Sequence, residues 1–227
     1  MGEGESRLER SAVNVIERLD SERAATNVLA HPFYQRWSAG ELDAVELGCY
    51  AEQYRHAVVA LAEASWRAAE LSAPAHAPAL RAHAQEESSH VELWDRFAAA
   101  VGARAGSLEP LPETRECARA WSAGASLLER LGVLYAIEAS QPEISQTKLR
   151  GLVDHYGYRP EGPALEYFSV HASRDREHAE QARALIERLL PAARGRSVAA
   201  EGVVLGAHAA LKGNWLLLDG VERASVR

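Results

Sequence analysis

A chain of 227 residues is long enough for one sizeable core and short enough that a single domain over residues 1–227 suffices. Its net charge of −7, with no Lys/Arg cluster, excludes a nucleic-acid footprint, and no apolar run approaches membrane-spanning length. The opening MGEGESRLER has alternating charges and no apolar segment, so a secretory signal is not expected and a cytoplasmic location is. In that reducing compartment Cys49 and Cys117, which have neither CxxC nor zinc spacing, read as small buried side chains.

Ala, Leu, Glu and Arg dominate and the alternation of β-branched residues that marks strands is nearly absent, so the fold class is all-α. The pattern predicts a first helix from about Glu5 to Leu29, then a short helical turn in His31-Pro-Phe-Tyr-Gln-Arg-Trp37 started by Pro32, then a breaker at Ser38-Ala-Gly40. Asp43 and Glu46 have the spacing of a capping box that opens the next helix, whose inner face reads Leu47, Tyr50, Tyr54, Val58 and Leu61 and which should end between Ser72 and Pro78. A third helix, about Ala79 to Val101, carries Leu80, Glu87, Trp94 and Val101 in one inward register and His83, His90 and Phe97 in the other. After Pro110 and Pro112, helices are expected at about Glu113–Ala123 and Ser126–His155, the latter with Leu127, Leu131 and Leu134 on the face of Glu138. The Gly- and Pro-containing stretch Tyr156–Pro163 is a turn, and helices at about Ala164–Leu190 and Val198–Val221 complete the chain.

Within the helix at 164–190 stands His171-x3-Asp175-x2-His178. At about 100° per residue, the second and third members lie only about 40° and 20° from the first around the axis. All three share the apolar face marked by Tyr167, Leu185 and Leu189. Two imidazoles and a carboxylate directed at a core need compensation, either from a hydrogen-bond network or from a metal ion. Glu87, His90 and Glu138 face inward on two further helices, which brings the set to three carboxylates and three imidazoles. That many carboxylates on facing helices suits two iron or manganese ions better than a single zinc, and leaves positions open for O2 or substrate.

The segments HPFYQRWSAGELDAVELGCYAEQY, EESSHVELWDRF, YAIEASQPEISQTKLRGL and YFSVHASRDREHAEQARALIERLL resemble the haem-oxygenase-like di-metal oxidases, nearest to the branch named for the Chlamydia protein associating with death domains. The resemblance covers almost the whole chain. It implies a seven-helix haem-oxygenase-like bundle of the TenA/PqqC type, holding a di-iron or iron–manganese centre and no haem. Carried over by motif, it implies His90, Glu138, His171, Asp175 and His178 as metal ligands. The remaining Glu stands further upstream of its His in that branch than Glu86 or Glu87 does here, so a local deletion is implied. Helical phase favours Glu87, with Glu86 as the alternative and His83 able to enter the inner or outer shell.

The activity associated with the branch is synthesis of 4-aminobenzoate, a folate precursor, from the protein's own side chains, with O2 as co-substrate and an external reductant. The resemblance implies Tyr34 as source of the carbon skeleton and Lys148 as amine donor, with Tyr50 and Tyr54 as relay or shielding phenols. Where the branch commonly has a tyrosine before its middle Glu, this chain has Ile137, and Tyr135 is the nearest phenol. The competing reading is a multi-turnover di-iron oxidase acting on a small amine, amino acid or fatty acid by N-oxygenation, desaturation or carbon–carbon cleavage. A metal-free, thiaminase-like enzyme would need a nucleophilic cysteine, which neither Cys49 nor Cys117 matches. A purely partner-binding role gives no reason for six inward ligands. Pairing into a homodimer is common for the fold.

Overall fold

The computed structural model describes residues 15–225 apart from 105 and 107, and among these there is no strand. Residues 15–25 form α1. It is followed by α2 (Pro32–Ala39), α3 (Ala44–Leu71), α4 (Ala77–Ala100), α5 (Pro112–Trp121), α6 (Leu127–Glu138), α7 (Gln141–Asp154), α8 (Glu166–Leu189) and α9 (Arg196–Ser225). With the two-turn α2 set aside and α6 and α7 taken as one broken helix, seven long helices remain. No helix among the described residues is long and apolar enough to cross a membrane.

The starts and stops are local chemistry. The expected beginning of the first helix, near Glu5, lies outside the described residues. Its end falls earlier than Leu29, because the Asn27 side chain accepts from Leu29 N (3.0 Å) and turns Val28–Ala30 into a 3-10 helix. His31 caps α2 by accepting from Phe33 N (3.0 Å), and Gly40, at φ 73°, ends it. The capping box is present: Asp43 Oδ1 accepts from Val45 N (2.8 Å) and Glu46 N (2.9 Å) while Glu46 Oε2 accepts from Asp43 N (2.8 Å).

The single helix expected over Ser126–His155 is two. Pro142 has no N–H to donate to the carbonyl of Glu138 and its ring crowds that carbonyl, so the ladder stops. Ser140 N bonds Ile137 O instead (3.3 Å), and Arg23 closes the gap by donating to Ala139 O (2.7 Å) and Ser140 Oγ (3.1 Å).

Helix α3 packs most extensively on α4, α9 on α5 and α6, and α8 on α6 and α7. Two apolar clusters result. One is aromatic, with Trp37, Tyr50, Tyr54, Trp94, Trp121 and Phe168; the other is aliphatic, with Leu80, Leu131, Leu185, Ile186, Val203 and Leu211. On α4 the aliphatic cluster holds Leu80 and the aromatic one Trp94 and Phe97; on α8 the order is reversed, with Phe168 before and Ala182 and Leu185 after. The stretches between, 83–90 and 171–178, therefore meet at the seam of the two clusters, and the inward-facing His and Glu side chains of α4 and α8 are held there.

Candidate metal centre

Seven nitrogen and oxygen atoms converge at this seam. His83, Glu87, Glu138 and His178 form one group and Glu87, His90 and His171 a second, the atoms of each lying within 4.8 Å of one another. Glu87 belongs to both. His83 Nε2 is 2.8 Å from Glu138 Oε1, His90 Nδ1 is 3.1 Å from Glu87 Oε1, and His178 Nδ1 is 3.6 Å from that same oxygen. Yet His83 Nε2, Glu87 Oε1, His90 Nδ1, both Glu138 oxygens, His171 Nε2 and His178 Nδ1 are buried without a properly aligned hydrogen bond among the described residues. Buried donor atoms this close to one another and without hydrogen-bond partners suit the ligand set of bound cations.

The far sides of two rings are fixed. His171 Nδ1 lies 2.7 and 2.9 Å from the two oxygens of Asp175, and His178 Nε2 lies 3.0 Å from Glu86 Oε2. A carboxylate behind an imidazole holds the tautomer that leaves the other nitrogen as a ligand. Asp175 and Glu86 thus stand behind the groups rather than within them: Asp175 is turned to His171, and Glu86, a third exposed, also holds Arg174 at the surface. His83, which the sequence left between inner and outer shells, is in the first group.

Electrostatics agree with a missing positive charge. Burial opposes ionisation of Glu87, but the His90 contact and the neighbouring imidazoles outweigh it and hold its carboxyl down at about 2. Burial likewise disfavours charge on His83, yet Glu138, Glu87 and Asp175 raise it to about 9. Asp175 is pushed well above the carboxylate range by burial and by the charges of Glu87 and Glu138.

Beside this cluster lies an aromatic box around an amine. Lys148 is fully buried, and its Nζ has no hydrogen-bond partner among the described residues. The Nζ sits 5.3 Å from the Tyr34 ring centre, 5.4 Å from Tyr50, 4.8 Å from Tyr54 and 5.1 Å from Phe168. Burial pulls its pKa down to about 7. The Tyr34 and Tyr50 hydroxyls are 3.1 Å apart, and Gln141 Nε2 donates to the Tyr54 oxygen at 3.4 Å. Burial raises the pKa of all three phenols, so they are neutral at ordinary pH. Ring contacts link the two regions: His171 to Tyr167 at 4.1 Å, Tyr167 to Trp94 at 4.8 Å, and Trp94 to Tyr54 at 5.0 Å. Tyr135 faces elsewhere, donating to Asp20.

The sequence reading passed over Phe168, Trp94 and Tyr167 as partners of this box, and over Gln141 and Ser145. A signal for the last two was present: Gln141, Ser145 and Lys148 follow at i, i+4 and i+7, so three polar groups share one face of α7, and all are buried.

Residues 51–212 match the family described as iron-containing redox enzymes. The chain belongs to that family. The chain is similar to the 4-aminobenzoate synthase of Chlamydia muridarum (32% identity, 80% of this chain and 81% of that protein) and to that of Nitrosomonas europaea (29% identity, 91% and 90%). A TenA homologue from Pseudomonas syringae shares the fold, with a TM-score of 0.80 over 94% of this chain and 93% of that one at 17% identity. The all-α, haem-oxygenase-like architecture expected from the sequence is the one found. For an iron-containing redox enzyme, the buried His/Glu cluster between α4, α6 and α8 is the candidate di-metal site.

Proposed function

We propose that this protein is an O2-dependent oxidase that makes 4-aminobenzoate from its own Tyr34, with Lys148 supplying nitrogen. One observation carries the reading: an unpartnered, fully buried amine lies over the ring of an equally buried tyrosine, next to a cluster of unsatisfied metal-ligand atoms. The names of the relatives support the same product.

His83, Glu87, Glu138 and His178 would hold one ion and Glu87, His90 and His171 the other, with Glu87 shared, while Asp175 and Glu86 fix the rings of His171 and His178. An iron pair, or iron with manganese, supplies O2 activation and oxidising equivalents when bound, with electrons from an external reductant.

The side chains account for the rest. The tyrosine Cβ is para to the phenol oxygen, so cleaving the Cα–Cβ bond of Tyr34 leaves the carbon skeleton of a para-substituted benzoate. The Tyr50 hydroxyl, 3.1 Å from that of Tyr34, hydrogen-bonds the phenol and holds its orientation as the ring is oxidised. The Lys148 amine, with its pKa near 7, keeps a lone pair at neutral pH and faces the ring. It would condense with the oxidised phenol carbon, the ring oxygen leaving as water, and hydrolysis of the Cε–N linkage after a proton shift would leave the nitrogen on the ring and an aldehyde at Lys148. Tyr54, Phe168 and Trp94 keep water out.

Tyr34, Tyr50 and Lys148 are at most 1% exposed, so an external substrate has no direct access to them; this favours the internal tyrosine over the multi-turnover alternative. Expression in a bacterial strain unable to make 4-aminobenzoate tests the proposal. Wild type should restore growth and Tyr34→Phe should not. No rescue by wild type, or full rescue by the variant, overturns it.

A further inference from the structure

Of the cluster, Glu87, His90, Glu138 and His171 are 1–2% exposed, whereas His83 and His178, at 4% and 5%, line an opening of about 310 Å³ between α4 and α8. Its other walls are Ala79, Ala82, Glu86, Arg174, Glu177 and Gln181. The alanines leave the width, and two carboxylates give the mouth its charge. Arg174 lies across it: Nε and Nη2 both donate to Glu86 Oε1, at 3.0 and 2.8 Å, and Nη1 is 3.2 Å from Glu177. Behind Arg174, the other oxygen of Glu86 touches His178 Nε2. A line of contacts thus runs from solvent through Arg174 and Glu86 to a ring whose Nδ1 faces the cluster.

We propose that this opening is the port through which divalent metal ions reach the cluster, with Arg174 as its displaceable cover and Glu86 as the carboxylate that receives the incoming ion. The inference rests on the metal-centre reading above and adds a route to it. The lining suits a cation: a neutral gas gains nothing from Glu86 and Glu177, while an ion gains two oxygen ligands at the point where Arg174 now satisfies them. The Arg174 side chain is 48% exposed, so swinging it into water gives up only a solvent-exposed ion pair. The ion then has His178 and His83, whose ring centres are 4.1 Å apart, as its next ligands.

The test is the rate of anaerobic Co²⁺ uptake by metal-free protein, followed by the visible absorption of the bound ion. Arg174→Ala should load faster, by up to about fivefold, because an exposed ion pair no longer has to open. Ala82→Phe, at an exposed position on the rim, should load more slowly, and Ala79→Phe is a second variant should the first fold poorly. Both kinds of variant should reach the wild-type final stoichiometry with an unchanged circular dichroism spectrum. If either the arginine or the phenylalanine substitution leaves the rate as in wild type, the port is overturned while the metal centre stands. If wild type takes up no Co²⁺, both fall.

Discussion

The Nζ of Lys148 lies 5.3 Å from the centre of the Tyr34 ring with no hydrogen-bond partner among the described residues, and burial holds its pKa at about 7. An unfolded lysine titrates near 10.4, so between about pH 7 and 10.4 the unfolded chain binds a proton that the folded chain has released. Stability contributed at this residue therefore rises with pH across that window, and the penalty is full below about pH 7. Lys148→Met, similar in shape, should raise the melting temperature most at pH 6–7, by an amount worth a few kcal/mol, and least above pH 10. Thermal melts from pH 6 to 10.5 check this, and a pH-independent difference between the proteins would contradict it. The same variant should form no 4-aminobenzoate.

Tyr50→Phe removes the hydroxyl beside that of Tyr34 and leaves the ring packing intact. Loss of the hydrogen bond that orients the Tyr34 phenol should slow product formation by about tenfold or more. Mass spectrometry of the peptide containing residue 34 reads the outcome directly: wild type should lose the side chain on exposure to O2 and reductant, and the variant should retain it for far longer.

Glu87 is common to both ligand groups, whereas His83 belongs to one. Glu87→Ala should bind neither ion firmly. His83→Ala should keep about one equivalent, held by the Glu87, His90 and His171 group. Metal analysis after gel filtration separates the two outcomes. In wild type, free metal at about a hundred times its dissociation constant should stabilise the fold by about 2.7 kcal/mol, and chelation should reverse the gain.

Gly151 is where α7 meets α2. A Cβ there would stand 2.5 Å from Trp37 Nε1 and 3.2 Å from Trp37 O, and that indole nitrogen donates to Lys148 O. Gly151→Ala should therefore cost about 1–3 kcal/mol and loosen the wall of the amine box. Chemical denaturation measures the first effect, and a rise in accessibility of Lys148 to amine-directed labelling measures the second.

Much of this was legible in the chain because helices advertise their inward faces. The 3.6-residue period placed His171, Asp175 and His178 on one side of α8 and separated buried Glu87 from the partly exposed Glu86. The capping box at Asp43 set the start of α3 to within one residue. Periodicity does not give rotamers, so it could not tell that Asp175 turns to His171 and Glu86 to His178, or that His83 reaches the first group. It also carried the helix pattern straight through Pro142, since Leu127, Leu131 and Leu134 before it and Ile144 and Leu152 after it keep helical apolar spacing. The aromatic box depends on residues from α2, α3, α7 and α8, a convergence that only tertiary packing creates.

The interruption at Pro142 has a further meaning. On an unbroken helix, Glu138 and Lys148 would point about 80° apart around one axis, at opposite edges of a single core-facing stripe. With the break, Glu138 ends α6 and Lys148 stands on α7, so that one short stretch of chain delivers an acid to the His/Glu cluster and an amine to the tyrosines. Two residues, Ala139 and Ser140, thereby join the two halves of the chemistry. A substitution that straightened this segment would uncouple them even though every reactive side chain remained in the chain.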